Sequence, residues 1–114
     1  MLRKIFAGTA LAYSMLMGGV AIESADAATY SNGSHKFTSS WSETKNPNST
    51  SIVKYGFNTA WIDEDYTWTT STTKKTWAYV HNNNGSYNTS ASAGKWAKTE
   101  VRHSGSKIKY EIRF

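Results

Sequence analysis

The chain of 114 residues contains no cysteine, a single proline and no leucine after Leu16. The absence of cysteine excludes the disulfide frameworks that stabilise many small exported domains, and it also excludes a cysteine nucleophile. A sequence poor in leucine and rich in Ser, Thr and Asn disfavours helices and favours strands and turns. Beyond residue 27 no apolar run is long enough to cross a bilayer as a helix.

The first 27 residues predict a secretory signal peptide. Arg3 and Lys4 form a basic start, no charged residue follows until Glu23, and the run Ala25-Asp26-Ala27 has the small-x-small pattern that signal peptidases recognise. The uncharged stretch is about long enough for a membrane anchor, but glycines and hydroxyl residues dilute its apolar character. We therefore expect cleavage between Ala27 and Ala28, a secreted, extracellular product, and no stable membrane span after cleavage.

Cleavage leaves one small basic domain. The whole chain has a formal net charge of +5, and the signal peptide holds two basic and two acidic residues, so the mature part keeps the same +5. Such a charge attracts phosphate-rich wall polymers, anionic lipid headgroups and pyrophosphates. Nucleic acid is not expected as a partner, because export separates the protein from it.

Short alternating segments separated by turns predict an all-β fold, a small antiparallel β-sandwich or barrel, of which we take the sandwich. In residues 107–114 Ile108, Tyr110 and Ile112 alternate with charged residues, which is typical of a half-buried strand. Residues 28–36 are interpreted as a flexible arm. The predicted organisation is a signal peptide over 1–27, an N-terminal extension over 28–51 and a β-sandwich domain over 52–114.

No constellation of residues indicates catalysis, a metal or a cofactor. No serine lies in a nucleophile-elbow motif, and His35, His81 and His103 lack metal-ligand spacing. The single acidic cluster, Asp63-Glu64-Asp65, does not match a calcium loop and is interpreted as a solvated strand edge. The expectation is a protein that is not an enzyme.

The candidate ligand-binding residues lie near the C terminus. Trp96 stands beside Lys95, and Lys98 and Arg102 follow on the same predicted strand. Lysine and arginine can pair with a phosphate or pyrophosphate, and a tryptophan offers a flat surface for a sugar ring. A solvated charged face that only keeps the protein soluble is the open alternative.

The second half of the chain also carries a family resemblance. The segments in question are Tyr55-Gly56-Phe57-Asn58-Thr59-Ala60-Trp61 with Tyr66, Val80-His81-Asn82-Asn83-Asn84-Gly85, Ala93-Gly94-Lys95-Trp96-Ala97-Lys98 with Val101, and the aromatic C-terminal residue Phe114. Over about residues 52–114 they resemble the lactococcin 972 family of secreted bacteriocins. The extension over 28–51 and the acidic cluster depart from the family pattern.

The resemblance implies a cationic antibacterial protein without disulfides, built as an antiparallel β-sandwich. It implies a bacteriocin that acts on the cell envelope of target bacteria by binding lipid II, the glycolipid precursor of peptidoglycan. A secreted, non-toxic binding module for cell-wall or matrix polysaccharide is the alternative. The target species and the oligomeric state stay open, a homodimer included.

The signal peptide leads to a test of processing. Because Ala25 and Ala27 form the cleavage pattern, intact-mass measurement of protein recovered from the culture medium should give a chain that starts at Ala28. A secreted product that retains Met1, or a product found only in membranes, would contradict the prediction.

Overall fold

The computed structural model describes residues 27–114, so the predicted signal peptide lies outside the described residues except for Ala27. Within this range all regular structure is β-strand, which confirms the expected all-β class. Eight strands follow one another: β1 (Ala27–Ser31), β2 (Trp41–Asn48), β3 (Ser51–Asn58), β4 (Glu64–Ser71), β5 (Thr76–Asn82), β6 (Gly85–Ala91), β7 (Ala97–Arg102) and β8 (Lys109–Arg113). The described range contains no helix that could span a membrane.

The strands form two antiparallel four-stranded sheets. Sheet I has the order β1-β8-β5-β6, and sheet II has the order β2-β3-β4-β7. The two sheets face each other across a shared core, and ring contacts such as that between Tyr55 of β3 and Tyr110 of β8 join them. This is the predicted antiparallel β-sandwich.

The segment expected to be a flexible arm contains strand β1. Ala28 pairs with Ile112 and Tyr30 pairs with Tyr110, and both residues of β1 pack against the core. The expectation was wrong because β1 has only five residues, and the alternation of Ala28 and Tyr30 with polar residues is too short to indicate a strand by itself. The strand is formed by its pairing with β8, which is distant in the sequence. Strands β1 and β2 are the outer strands of sheets I and II, so residues 28–51 contribute one edge to each sheet.

One half of the core is aromatic. The rings of Tyr55 and Tyr110 stack at 4.8 Å between centroids, Tyr30 stacks on Tyr55 at 5.3 Å, and Trp41 meets Tyr110 edge-on at 5.9 Å. Stacked and edge-on pairs contribute beyond the apolar area that they bury. Burial raises the pKa of Tyr55 to about 12, with smaller contributions in the same direction from Glu43 and Tyr30. Its hydroxyl therefore stays neutral at physiological pH.

The other half of the core is lined by hydroxyl residues that bond across the two sheets. Thr69 of β4 donates from Oγ1 to Oγ1 of Thr76 of β5 at 2.9 Å, and Thr99 of β7 donates to the carbonyl of Ala78 at 2.7 Å. All four residues are buried. Thr69 and Thr99 can therefore face the interior at little cost, since a buried hydroxyl with a partner avoids the desolvation penalty. The buried hydroxyl of Thr67, also on β4, has no hydrogen-bond partner among the described residues.

Gly56 lets strand β2 approach β3 closely. A Cβ atom at this position would overlap the carbonyl oxygen of Trp41. At Gly56 the backbone of β2 therefore covers the outer face of β3. The other outward side chains of β3, Lys54 and Ile52, precede Gly56 in the strand.

The buried face of β8 allows a test of the core. Ile112 is fully buried, so Ile112→Ala should lower the free energy of unfolding by about 2–5 kcal/mol, measured by urea denaturation. Ile52→Ala removes the same atoms from a half-exposed position on sheet II and is the matched control, with a smaller expected loss. Equal losses for the two variants would contradict the assignment of Ile112 to the core.

Candidate functional site

The predicted ligand-binding residues occupy β7 and the turn before it. In β7, Ala97 and Thr99 point into the core, whereas Lys98 and Arg102 are exposed on the outer face of sheet II. Lys95 and Trp96 lie in the preceding turn, which Thr70 of β4 holds by donating from Oγ1 to the carbonyl of Lys95 at 2.8 Å. Trp96 keeps 44% of its surface exposed. The four residues therefore follow one another along a single exposed edge of the sandwich.

The structure adds two residues that the sequence analysis did not select. Lys54 of β3, Trp68 of β4 and Lys98 of β7 are direct neighbours across three strands of sheet II. Lys54 Nζ lies 5.4 Å and Lys98 Nζ 4.3 Å from the centroid of the Trp68 ring. We call these three residues the Trp68 row. Cations over an indole at these distances are attracted by its π electrons.

Acidic residues reduce the positive charge around the Trp68 row. Trp68 donates from Nε1 to Oε2 of Glu100 at 2.9 Å, and Glu64 is the register partner of Arg102. Tyr66 lies beside Trp68, with 5.6 Å between the ring centroids. Tyr66 is buried and Trp68 is half-buried. The cations of this part of sheet II exceed its carboxylates by one: Lys54, Lys98 and Arg102 against Glu64 and Glu100.

A second polar cluster lies on the outer face of sheet I. Glu111 of β8 bonds through Oε1 to Nε2 of His81 at 2.8 Å, and Arg113 donates from Nε to the other carboxylate oxygen at 2.7 Å. The remaining nitrogen of His81, Nδ1, is 2.7 Å from the hydroxyl of Ser86. The cluster therefore ties together β8, β5 and β6 at their outer surface.

The pKa of Glu111 lies below its ordinary value. Burial acts to raise it, but the hydrogen bonds from His81 and Arg113, together with their positive charges, outweigh burial. The carboxylate is thus held in its ionised form by its two partners.

A third cluster corrects the interpretation of the acidic segment. Asp63 is exposed, but Asp65 is completely buried, because β4 turns its side chain into the core opposite Phe57. Its carboxylate accepts a hydrogen bond from Nδ2 of Asn82 at 2.9 Å and contacts Nδ1 of His103 at 2.8 Å. The segment is therefore not a solvated strand edge throughout. The sequence did not indicate this, because the partners of Asp65 are 17 and 38 residues away.

A cleft of about 520 Å³ lies next to this pair, between the loop after β1 and the loop before β8. Its lining includes His103, Lys36, Phe37, Ser34 and Ser106. Within residues 27–114 no group of three or more potential metal ligands is found.

Comparisons of the chain with family models, with curated proteins and with solved structures find no match. The site is therefore defined by its own geometry.

The ionised state of Glu111 leads to a test of pH dependence. A carboxyl group with a lowered pKa in the folded state contributes stability that is complete above the ordinary value of 4.5 and is lost as the pH falls through the lowered value. The parent should therefore lose unfolding free energy below about pH 4.5, and Glu111→Gln should remove part of that dependence.

Urea denaturation at a series of pH values measures the effect of Glu111→Gln. Glu64→Gln, at a half-exposed position on sheet II, is the control and should follow the parent. If the two variants show the same pH dependence, the bonds of Glu111 do not stabilise the folded state.

Proposed function

We propose that this protein is a secreted cationic antibacterial protein, a bacteriocin, that acts on the bacterial cell envelope by binding the peptidoglycan precursor lipid II. The observation that carries the proposal is the Trp68 row, a half-buried tryptophan on the outer face of sheet II with a lysine ammonium group from each neighbouring strand near its ring. Lys95, Trp96 and Arg102 extend the same surface along β7.

The chemistry of this surface suits a ligand that combines sugars with phosphates. The apolar face of a sugar ring can stack on an indole, and Trp96, which is 44% exposed, offers such a surface at the edge of sheet II. A pyrophosphate offers negatively charged oxygens to lysine and arginine side chains. Lipid II contains both groups close together, so one surface of mixed aromatic and basic character can contact both.

The resemblance to the lactococcin 972 family supports the same proposal. The string Ala93-Gly94-Lys95-Trp96-Ala97-Lys98 spans the turn into β7 and the start of that strand. Gly94 has a φ of 81°, a conformation that glycine adopts readily, and the turn that it forms presents Lys95 and Trp96 to solvent. The resembling string thus supplies three of the proposed contact residues.

A secreted, non-toxic module that binds wall or matrix polysaccharide is the second candidate. Glu100 favours it, because this carboxylate accepts the indole N–H of Trp68 and reduces the positive charge of the surface. A glycan with little charge would meet less repulsion from Glu100 than a pyrophosphate would.

The basic surface can be tested by replacing Lys95, Lys98 and Arg102 together with Gln. All three side chains are exposed, so the thermal midpoint should change little. Binding to vesicles that contain lipid II should weaken about tenfold or more, and killing of a sensitive lawn should weaken in parallel. Parent binding should also weaken as salt rises, since exposed charges are screened over about 8 Å at physiological ionic strength.

A charge-matched control separates a specific surface from general attraction. Lys74, Lys75 and Lys109 are exposed and lie outside sheet II, so their joint replacement by Gln should leave lipid II binding near that of the parent. If lipid II binding weakens equally in both triple variants, the loss of binding depends only on the net charge of the protein. Binding of the parent to wall polysaccharide but not to lipid II would select the second candidate.

A further inference from the structure

The buried pair Asp65–His103 leaves one imidazole nitrogen without a protein partner. Asp65 is fully buried and its carboxylate contacts Nδ1 of His103 at 2.8 Å, while the other carboxylate oxygen accepts from Asn82. No hydrogen bond of His103 Nε2 is found among the residues that the structure describes. A buried carboxylate fixes both the orientation of an imidazole and the position of its Nδ1 proton.

Aromatic rings hold His103 at the wall of the cleft. The ring of Phe37 lies 4.3 Å and that of Phe57 lies 5.0 Å from the imidazole centroid. The imidazole side chain is 18% exposed, and His103 is one of the residues that line the cleft. Because Nδ1 is bonded to the buried carboxylate, Nε2 is the nitrogen left for a ligand in the cleft.

The surroundings of the cleft favour an anion over a cation. Lys36 lines it, and Ser34 and Ser106 add hydroxyl groups to the lining. His35 also belongs to the lining, but its Nε2 is already bonded to Glu43 at 2.8 Å. A metal ion would need several unoccupied ligands, whereas an oxyanion needs donors, which a protonated imidazole, an ammonium group and hydroxyls supply.

We infer that this cleft is an anion-binding site in which His103 Nε2 and Lys36 Nζ bind a phosphate or pyrophosphate group. The site is separate from the Trp68 row, which lies on the outer face of sheet II. A substitution that removes binding at one site should therefore leave binding at the other site unchanged.

The experiment is a titration of the purified protein with inorganic pyrophosphate, followed through the imidazole nitrogen and carbon resonances by NMR. The resonances of His103, which lines the cleft, should shift in a saturable manner as pyrophosphate is added. His81 is the internal reference, because it also has a carboxylate partner at 2.8 Å but does not line the cleft. Equal shifts of both histidines, or no shift of His103, would overturn the inference.

Two substitutions test the same site. Lys36 is exposed, so Lys36→Gln should leave the fold intact and raise the dissociation constant for pyrophosphate by about threefold to tenfold. Lys74→Gln, at an exposed position between β4 and β5 that does not line the cleft, is the control and should bind as the parent does. His103→Gln should raise the constant by about tenfold if the variant folds. Unchanged affinity of Lys36→Gln would count against the cleft.

Vesicles containing lipid II distinguish the two sources of the anion. If Lys36→Gln weakens binding both to these vesicles and to inorganic pyrophosphate, the cleft takes the pyrophosphate of the glycolipid. If it weakens only the binding of inorganic pyrophosphate, the cleft takes a free anion. Either result supports an anion site, and no effect on either ligand overturns it.

Discussion

The contact between aromatic rings across the two sheets is the interaction on which the rest of this sandwich depends. Without cysteine, a domain of this size needs its apolar packing to be dense. Tyr55 of sheet II stacks on both Tyr30 and Tyr110 of sheet I, and Trp41 closes the group edge-on. Each of these rings removes a large apolar area from water. The edge strands β1 and β2 are held because Tyr30 and Trp41 belong to this group.

Each histidine of the described chain is paired with a carboxylate at 2.8 Å, and the three pairs differ in how deeply the carboxylate is buried. The partner of His35, Glu43, has a side chain that is 37% exposed, that of His81, Glu111, is 11% exposed, and that of His103, Asp65, is 0% exposed. Screening by solvent weakens the first pair most. The last pair combines a fully buried carboxylate with a position on a cleft, which is why the anion site is placed there.

The proposed envelope-binding surface and the anion cleft differ in what their cations contact. On sheet II, Lys54 and Lys98 lie over Trp68 on an open face, where aromatic and charged groups act together. In the cleft, Lys36 and His103 lie in a concave lining that includes only one large aromatic side chain, Phe37. A flat mixed surface suits a glycan with attached phosphate, and a concave lining of donors suits a compact oxyanion.

Composition and alternation alone determined the all-β class, the buried face of Ile108, Tyr110 and Ile112, and the exposure of Lys98 and Arg102, because strand periodicity is a local property. The tertiary structure decided the rest. Strand β1 exists because β8 pairs with it, Trp68 lies between Lys54 and Lys98 because three strands are in register, and Asp65 is buried because Asn82 and His103 reach it from distant segments. The pairing of distant strands follows from the register of whole sheets, and no local pattern specifies which residues that register brings together.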